Sequence, residues 1–201
     1  MVSSSIIAAF DFDHTLTDRD SLLPFLYQLK GWACASAQLA MLGPAWMGYL
    51  TGSLSRQSIK EKILERFIRG KSQNELEASG VEYASGLLNR YIKPEPLHRL
   101  AWHQSQGHSC VLISASLELY LNPWAANHGF EKVLASRLEM TTTGYATGRL
   151  EGLNCWGAEK VRRLIGFAGP KQNYQLYAYG DSQGDRDLLN LADYPFYRKF
   201  K

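Results

Sequence analysis

The sequence predicts an α/β protein: a Rossmann-like core in which a parallel sheet has helices on both faces, with a helical cap inserted after the first strand. Short apolar runs alternate with helical segments along the chain, which is typical of such a sheet. Residues 18–94 interrupt this alternation, because they contain no clear strand and are longer than a single crossover helix. Three of the apolar runs end in polar side chains that can carry out chemistry. We therefore expect an α/β catalytic core formed by 1–17 and 95–201 and a helical cap subdomain formed by 18–94.

Composition narrows the class of protein. The chain has 201 residues, of which 45% are hydrophobic and 20% charged, so it can bury a substantial core. A net charge of +3, spread along the chain, does not favour a nucleic-acid partner. Cys34, Cys110 and Cys155 lie far apart and form no CxxC pair, which argues against disulfides or structural zinc and indicates a reducing, cytoplasmic compartment. We see no signal peptide at the N-terminus.

The first strand is predicted in the uncharged run that ends at Phe10, directly before two aspartates. Ligands of parallel sheets bind beyond the carboxyl ends of the strands, which is where Asp11 and Asp13 stand. On an extended chain these two side chains point the same way, so their carboxylates repel each other unless a cation lies near. The alternative interpretation is that either aspartate simply forms a turn or caps a helix.

The cap is predicted as a series of helices. One begins near Leu22, one covers 55–67, and one covers 72–91 behind a capping box. Between them, residues 31–55 carry no charge but many apolar and aromatic side chains. We favour a buried helix pair broken at Gly43-Pro44; the alternative is a surface that touches lipid or an oily substrate. Polar and glycine residues inside the run argue against a spanning helix.

The remaining elements follow in alternation. We predict a helix over 96–106, a strand over 109–113, a helix interrupted at Pro123, a strand over 132–136, a hairpin within 137–150, a helix over 157–167, a strand over 175–179, a helix from 185, and a short strand over 195–197.

Reactive side chains follow three of these strands: Asp11 and Asp13, then Ser114, then Asp181 and Asp185. The carboxyl ends of parallel strands meet at one edge, so these groups converge there. Carboxylate oxygens suit Mg²⁺, while Ser114 and Lys160 offer donors to phosphate oxygens. The sequence therefore predicts a phosphate and magnesium site.

The same residues resemble a known family. Asp11-Phe12-Asp13-His14-Thr15, Ser114 after Val-Leu-Ile, Lys160, and Gly180-Asp181-Ser182-Gln183-Gly184-Asp185 look like the four motifs of the haloacid dehalogenase superfamily, in the same order. The inserted helices resemble the cap of its phosphoserine-phosphatase-like branch. The resemblance covers nearly the whole chain.

The resemblance implies the chemical roles. Asp11 is the expected nucleophile, which attacks phosphorus to give an aspartyl-phosphate. Asp13 protonates the leaving alcohol and then takes a proton from the attacking water. The Asp11 carboxylate, the Asp13 backbone carbonyl and Asp181 hold Mg²⁺. Carbon–halogen displacement needs neither a metal nor an acid, so we expect phosphate chemistry despite the name of the superfamily.

The supporting roles follow from the same resemblance. Ser114 and Lys160 bind the phosphoryl oxygens, Thr15 orders the first loop of this phosphate site, and Asp185 orients Lys160 or metal-bound water. His14 stands where glycine is frequent; we favour an outward-facing loop residue over contact with the leaving group.

These roles predict a phosphomonoester hydrolase that acts on a small metabolite such as phosphoserine. Asp20, Arg56 and Lys62 lie where a charged substrate could be contacted, but a solvated helix face explains the two cations equally well. The uncharged stretch leaves a lipid phosphate as the second substrate class, although membrane contact is not favoured.

A phosphoacceptor signalling domain is a non-enzymatic alternative. Domains of that class lack the helical insertion, and the presence of Asp13 favours an enzyme that turns over its substrate. A mutase would share the catalytic residues, and the oligomeric state stays open.

Overall fold

A computed structural model describes residues 5–200 and shows a five-stranded parallel sheet in the order β3-β2-β1-β6-β7. A separate antiparallel hairpin pairs β4 with β5. The strands are β1 (Ser5–Phe10), β2 (Ser109–Leu117), β3 (Lys132–Ser136), β4 (Leu138–Met140), β5 (Ala146–Leu150), β6 (Tyr174–Gly180) and β7 (Tyr194–Tyr197).

The helices of the described residues fall into two groups, those inserted after β1 and those of the core. The inserted helices are α1 (Leu22–Lys30), α2 (Trp32–Ala40), α3 (Gly43–Leu50), α4 (Arg56–Phe67) and α5 (Gln73–Ser85). The core helices are α6 (Pro94–Ser105), α7 (Glu118–Ala126), α8 (Ala158–Ala168) and α9 (Arg186–Leu191). Short 3₁₀ turns cover Leu87–Tyr91, Lys171–Asn173 and Gln183–Asp185.

The central strand β1 explains the layered architecture. Its alternate side chains point to opposite faces of the sheet, as the pleat requires. Ala8 and Phe10 pack in a large hydrophobic cluster with the inserted helices, α6 and α7. Ile7 and Ala9 pack in a second cluster with side chains of α8 and α9. Both faces of the sheet are therefore covered by helices, and the predicted fold class is confirmed.

The inserted segment leaves and rejoins the core at adjacent points. Thr17 pairs with Ile92 in an isolated antiparallel bridge, and Lys93 N–H donates to Leu16 O at 2.9 Å. The inserted helices also touch the core along their length, since α5 packs on α7 and α4 packs on β5. At the α5–α7 contact a Cβ on Gly80 would lie 2.5 Å from Leu119 O, so only glycine permits this approach. The domain boundaries stay a prediction.

Three local expectations need correction. The predicted helix over 72–91 ends at Ser85 and continues only as a 3₁₀ turn. Strand β2 continues past Ser114 to Leu117. Helix α7 is not interrupted at Pro123 but runs through it. Proline cannot bond the carbonyl of Leu119 four residues earlier, and that carbonyl packs over Gly80 of α5 instead.

The uncharged stretch differs most from expectation. It does form two short helices separated near Gly43-Pro44, but it is not a buried pair. Helix α2 buries only Ala35, and α3 buries no residue. Both helices pack on one side only, against α1 and α4, so their outer faces have no protein to cover them within residues 5–200. None of the described helices is long and apolar enough to cross a membrane.

Candidate active site

Asp11 is the first residue beyond β1 and is held at the edge of the sheet. Its N–H donates to Tyr179 O of β6 at 2.9 Å, which extends the sheet pairing by one residue. One carboxylate oxygen, Oδ2, accepts a hydrogen bond from Thr15 Oγ1 at 3.0 Å. The other, Oδ1, lies 2.5 Å from Lys160 Nζ. The nucleophile candidate is therefore fixed in position by two donors.

Lys160 joins two acidic groups that follow different strands. Its ammonium contacts Asp11 Oδ1 and, at 2.6 Å, Asp185 Oδ1. Burial would lower the pKa of Lys160, but the charges and hydrogen bonds of the two aspartates outweigh it and raise that pKa above its ordinary value. Burial likewise raises the pKa of Asp11 to about 6, against the attraction of Lys160. Lys160 is thus a permanently charged link between the two carboxylates.

Both carboxylate oxygens of Asp185 accept hydrogen bonds from groups of the protein. Besides Lys160, it accepts hydrogen bonds through Oδ2 from the N–H groups of Asp181 and Ser182 and from the Ser182 hydroxyl. Burial would raise its pKa, but Lys160 and the Ser182 donors hold that pKa below its usual range. This environment agrees with the expected orienting role of Asp185.

Asp181 differs, because its carboxylate receives no hydrogen bond from any residue that the structure describes. It is half-buried, and desolvation followed by the charge of Asp185 raises its pKa. Ligand oxygens of Asp11, Asp181 and Asp185 all lie within 4.8 Å of one another. Such an arrangement of acidic oxygens is what a hard divalent cation requires.

Asp13 is hydrogen-bonded to a group of hydroxyl-bearing residues and not to the carboxylates of this acidic cluster. Its Oδ1 accepts the N–H of Ser21 at 2.9 Å, and its Oδ2 accepts the Ser116 hydroxyl at 2.5 Å. The Ser21 hydroxyl also lies 2.9 Å from Ser116 Oγ and 3.1 Å from Tyr120 OH. Burial, aided by the charge of Asp20, raises the pKa of Asp13 to about 7. A carboxyl group with this pKa can both give and take a proton near neutral pH.

Ser114 lies at the same edge of the sheet. Phe10 of β1 is in register with Leu112 of β2, and this is the last position at which the two strands pair. Ser114 lies two residues further along β2, level with the motif that begins at Asp11. Its hydroxyl is buried and accepts the N–H of Ser116 at 3.0 Å. Contacts therefore join Asp11 to Thr15 and Lys160, and Lys160 to Asp185, while the register places Ser114 on the strand beside them.

Other expected residues have structural roles. Asp20 caps α1 by accepting the N–H groups of Leu22 and Leu23. The Arg56 guanidinium lies 4.9 Å from the ring centre of Trp156. His14 is exposed, and its φ of 59° is in the left-handed region, which explains why glycine suits this position. It lines a cavity of about 360 Å³ together with Asp181, Lys93 and Arg198.

Sequence reasoning missed Lys60 of α4. Lys60 reaches the core, where its ammonium donates to Ala115 O and to Asn154 Oδ1. Burial lowers its pKa to about 8. Asn154 also accepts the Ser136 hydroxyl. Periodicity could not reveal this contact, because it depends on Ala115 of β2, which lies 55 residues away in sequence.

Sequence reasoning also missed the hydroxyls around Asp13. Ser116 follows Ser114 by two residues, and this repeat of serine after a strand was the one available signal. Ser21 and Tyr120 carry no such signal. Tyr83 OH donates to Ser21 O at 2.9 Å and thereby supports the same group from the inserted α5.

Comparison with known proteins defines the class. A family model described as haloacid dehalogenase-like hydrolase matches residues 8–190, so the chain belongs to this family. It is 30% identical to protein CicA of Caulobacter vibrioides over 98% of this chain and 87% of that protein. It is 27% identical to a histidinol-phosphatase of Neisseria meningitidis serogroup C, over 94% of this chain and 88% of that enzyme.

Solved structures agree with this assignment. A protein of unknown function from Bordetella pertussis Tohama I superimposes with a TM-score of 0.82 at 25% identity, covering 97% of this chain and 90% of that one. A substrate-bound phosphoserine phosphatase superimposes with a TM-score of 0.61 at 14% identity, covering 94% and 83% respectively, and shares the fold. The family model confirms the expected superfamily and the expected class of a hydrolase, and the solved phosphoserine phosphatases share the fold.

Proposed function

We propose that this protein is a Mg²⁺-dependent phosphomonoester hydrolase that works through a phosphorylated Asp11. The observation that carries the proposal is the buried ammonium of Lys160, which bridges Asp11 and Asp185 beside the carboxylate of Asp181. A carboxylate attacks a phosphate dianion only where positive charge offsets the repulsion between them. Lys160 supplies one such charge, and a divalent cation would supply more.

The acidic groups at this edge fit a magnesium ion. Three carboxylates, those of Asp11, Asp181 and Asp185, face the single positive charge of Lys160, which leaves an excess of negative charge. Asp185 already accepts donors on both oxygens. The carboxylates of Asp11 and Asp181 and the backbone carbonyl of Asp13 are therefore the groups that would hold the ion. When bound, it would let an anionic phosphate approach the Asp11 carboxylate.

The first half of the reaction uses Asp11 and Asp13. A carboxylate oxygen of Asp11 bonds to phosphorus, the ester P–O bond breaks, and the leaving oxygen takes the proton held by Asp13. The raised pKa of Asp13 makes that proton available near neutral pH. The N–H of Ser21 and the hydroxyl of Ser116 hold the carboxyl group in place. Lys160 and Ser114 would stabilise the negative phosphoryl oxygens.

The second half reverses the role of Asp13. Its carboxylate takes a proton from a water molecule, whose oxygen bonds to phosphorus while the bond to Asp11 breaks. Inorganic phosphate leaves, and both aspartates return to their starting states. Thr15 and Lys160 hold the carboxylate of Asp11 throughout, so its geometry is the same before and after turnover.

The substrate we propose is a small phosphorylated metabolite. Support comes from the relatives described as a histidinol-phosphatase and a phosphoserine phosphatase, whose names indicate small phosphomonoesters. Lys93 and Arg198 line the cavity beside Asp181 and would favour an anionic ligand. The exposed apolar faces of α2 and α3 keep a lipid phosphate as the second candidate.

We propose two further features with this function. Residues 18–94 would act as a cap, because Lys60 and Tyr83 of the inserted helices reach Ala115 of β2 and Ser21, beside the groups that hold Asp13. The enzyme would work in the cytoplasm, which agrees with three free cysteines, one of them exposed.

Phosphate release tests the proposal. A panel containing serine phosphate, histidinol phosphate and a short-chain lipid phosphate is assayed with Mg²⁺ and with a chelator. We expect turnover only with the metal, and none in Asp11→Asn. Asp187→Asn is the matched control, because Asp187 is exposed on α9 and should leave the rate unchanged. Full activity in the chelator would refute the metal role.

The panel also separates the alternatives. A signalling domain would incorporate one phosphate on Asp11 and release it without turnover. A mutase would move phosphate between two hydroxyls of a sugar with little free phosphate. A faster rate on the lipid phosphate than on both amino-alcohol phosphates would reverse our order of substrates.

A further inference from the structure

Helices α2 and α3 carry an exposed apolar surface that the fold and the proposed catalysis do not use. We define the α2–α3 surface by its large exposed side chains, Trp32, Met41, Trp46, Met47 and Leu50. Leu50 is 76% exposed and Trp32 is 75% exposed. Large exposed apolar side chains that are grouped along two consecutive helices indicate an interaction site, whereas single exposed ones need no explanation.

The charges of the chain segment that carries this surface have one sign. Residues 21–60 contain no aspartate or glutamate, and their charged residues are Lys30, Arg56 and Lys60, of which Lys60 is turned inward. Acidic side chains make up 19 of the 201 residues of the chain, but none of them lies in this segment. The electrostatic potential on this side of the inserted helices is therefore more positive.

A basic rim borders the turn between α2 and α3. Met41 and Pro44 of this turn line a groove of about 620 Å³ together with Lys62 and Arg66 of α4 and Arg69, which follows α4. The Arg66 guanidinium lies 2.7 Å from Met41 Sδ. The single acidic residue of the groove, Glu65, faces Arg149 at 3.8 Å. Apolar and cationic groups are therefore contiguous.

We propose that the α2–α3 surface and its basic rim dock the protein on the surface of an anionic lipid bilayer. The Trp, Met and Leu side chains would enter the headgroup region, where tryptophan is favoured, while Lys62, Arg66 and Arg69 meet lipid phosphates. The helices are short, nine and eight residues, so the surface lies on the membrane rather than across it.

Charge complementarity favours lipid over a second copy of the chain. In a two-fold dimer built on this surface, each basic rim would face the same surface of its partner and meet apolar and cationic groups. An anionic bilayer instead attracts each Lys or Arg near it. The docking surface is separate from Asp11 and its partners, so the proposal does not depend on the proposed catalysis.

Vesicle flotation tests this directly. The protein is mixed with vesicles of phosphatidylcholine alone or of phosphatidylcholine with phosphatidylglycerol, at low and at high salt. We expect flotation only with the anionic vesicles, and its loss at high salt because screening weakens the attraction. Equal flotation with both vesicle types would overturn the role of the basic rim, and no flotation with either would overturn the proposal.

Substitutions locate the surface. Arg66→Gln with Arg69→Gln should lower the partition coefficient about fivefold for each cation removed, and Trp46→Ser with Leu50→Ser should lower it about tenfold or more. Matched controls are Arg90→Gln and Leu153→Ser, whose side chains are exposed elsewhere. Both controls should float like the original protein, and all variants should keep the same hydrolysis of a soluble phosphomonoester.

Two results would contradict the proposal. If the controls lose flotation as strongly as the α2–α3 variants, the binding has no specific surface. If light scattering without lipid shows a dimer that Trp46→Ser with Leu50→Ser converts to a monomer, the surface belongs to a second copy instead.

Discussion

Replacing Lys160 by methionine removes the only cation within hydrogen-bond distance of Asp11 and Asp185 among the described residues. Its contacts of 2.5 and 2.6 Å join side chains that are between 0% and 8% exposed, so the surface value for an ion pair does not apply. Breaking a buried pair costs about 3–5 kcal/mol, because the remaining charge is left without compensation. We therefore expect Lys160→Met to lower the free energy of unfolding by about 3–5 kcal/mol in the presence of a chelator.

The loss of stability in Lys160→Met should become smaller as the pH falls. Burial already raises the pKa of Asp11 to about 6, and removing Lys160 raises it further, so this carboxyl can take up a proton in the folded variant. Stability from a raised carboxyl pKa is present at low pH and is lost as pH rises through the folded pKa. The difference in the free energy of unfolding between Lys160→Met and the original protein should therefore decrease as the pH falls from about 8 to about 5. The decrease is up to about 1.4 kcal/mol for each pH unit over which Asp11 gains its proton.

Denaturant titration followed by circular dichroism measures these values. Lys171→Met is the matched control, because Lys171 pairs with Asp193 at a partly exposed site and its loss should cost about 0–1 kcal/mol at either pH. Phosphate release by Lys160→Met should also fall by about 10²–10³-fold. If Lys160→Met unfolds within about 1 kcal/mol of the original protein at both pH values, the bridge that we describe does not hold the site together.

Three further outcomes are expected. Asp13→Asn should lower the rate of phosphate release by about 10²–10⁴-fold while leaving Asp11 able to accept phosphate, as acid-quench labelling would detect. Ser116→Ala removes a hydrogen bond to the charged form of Asp13, so the acidic limb of the rate profile should move to higher pH, and an unmoved limb would exclude this contact. Gly80→Ala should lower the free energy of unfolding by about 1–3 kcal/mol in thermal denaturation, because the new Cβ meets Leu119 O. The control is Gly166→Ala, which lies in open space on α8 and should raise the free energy of unfolding by about 0.5–1 kcal/mol. Equal effects of the two substitutions would contradict the packing argument.

The sequence alone determined the sheet and the identity of its reactive edge. The run before Asp11, the run before Ser114 and the run before Asp181 are apolar and short, so they form buried parallel strands whose carboxyl ends meet. The motif residues are local to these strand ends, and a local signal is enough to place them on the same edge. The helix propensity of 18–94 likewise follows from local periodicity.

Only the tertiary structure decided which faces are covered and which distant groups meet. Asp13 contacts Ser116, and Lys60 contacts Ala115, although these positions are far apart in the chain. The apolar residues of α2 and α3 stay exposed, because no other element packs over them in the described residues. The hydrophobicity of a side chain shows that its burial is favourable. Burial also requires a second surface to pack against, and the sequence of one segment does not reveal whether such a surface exists.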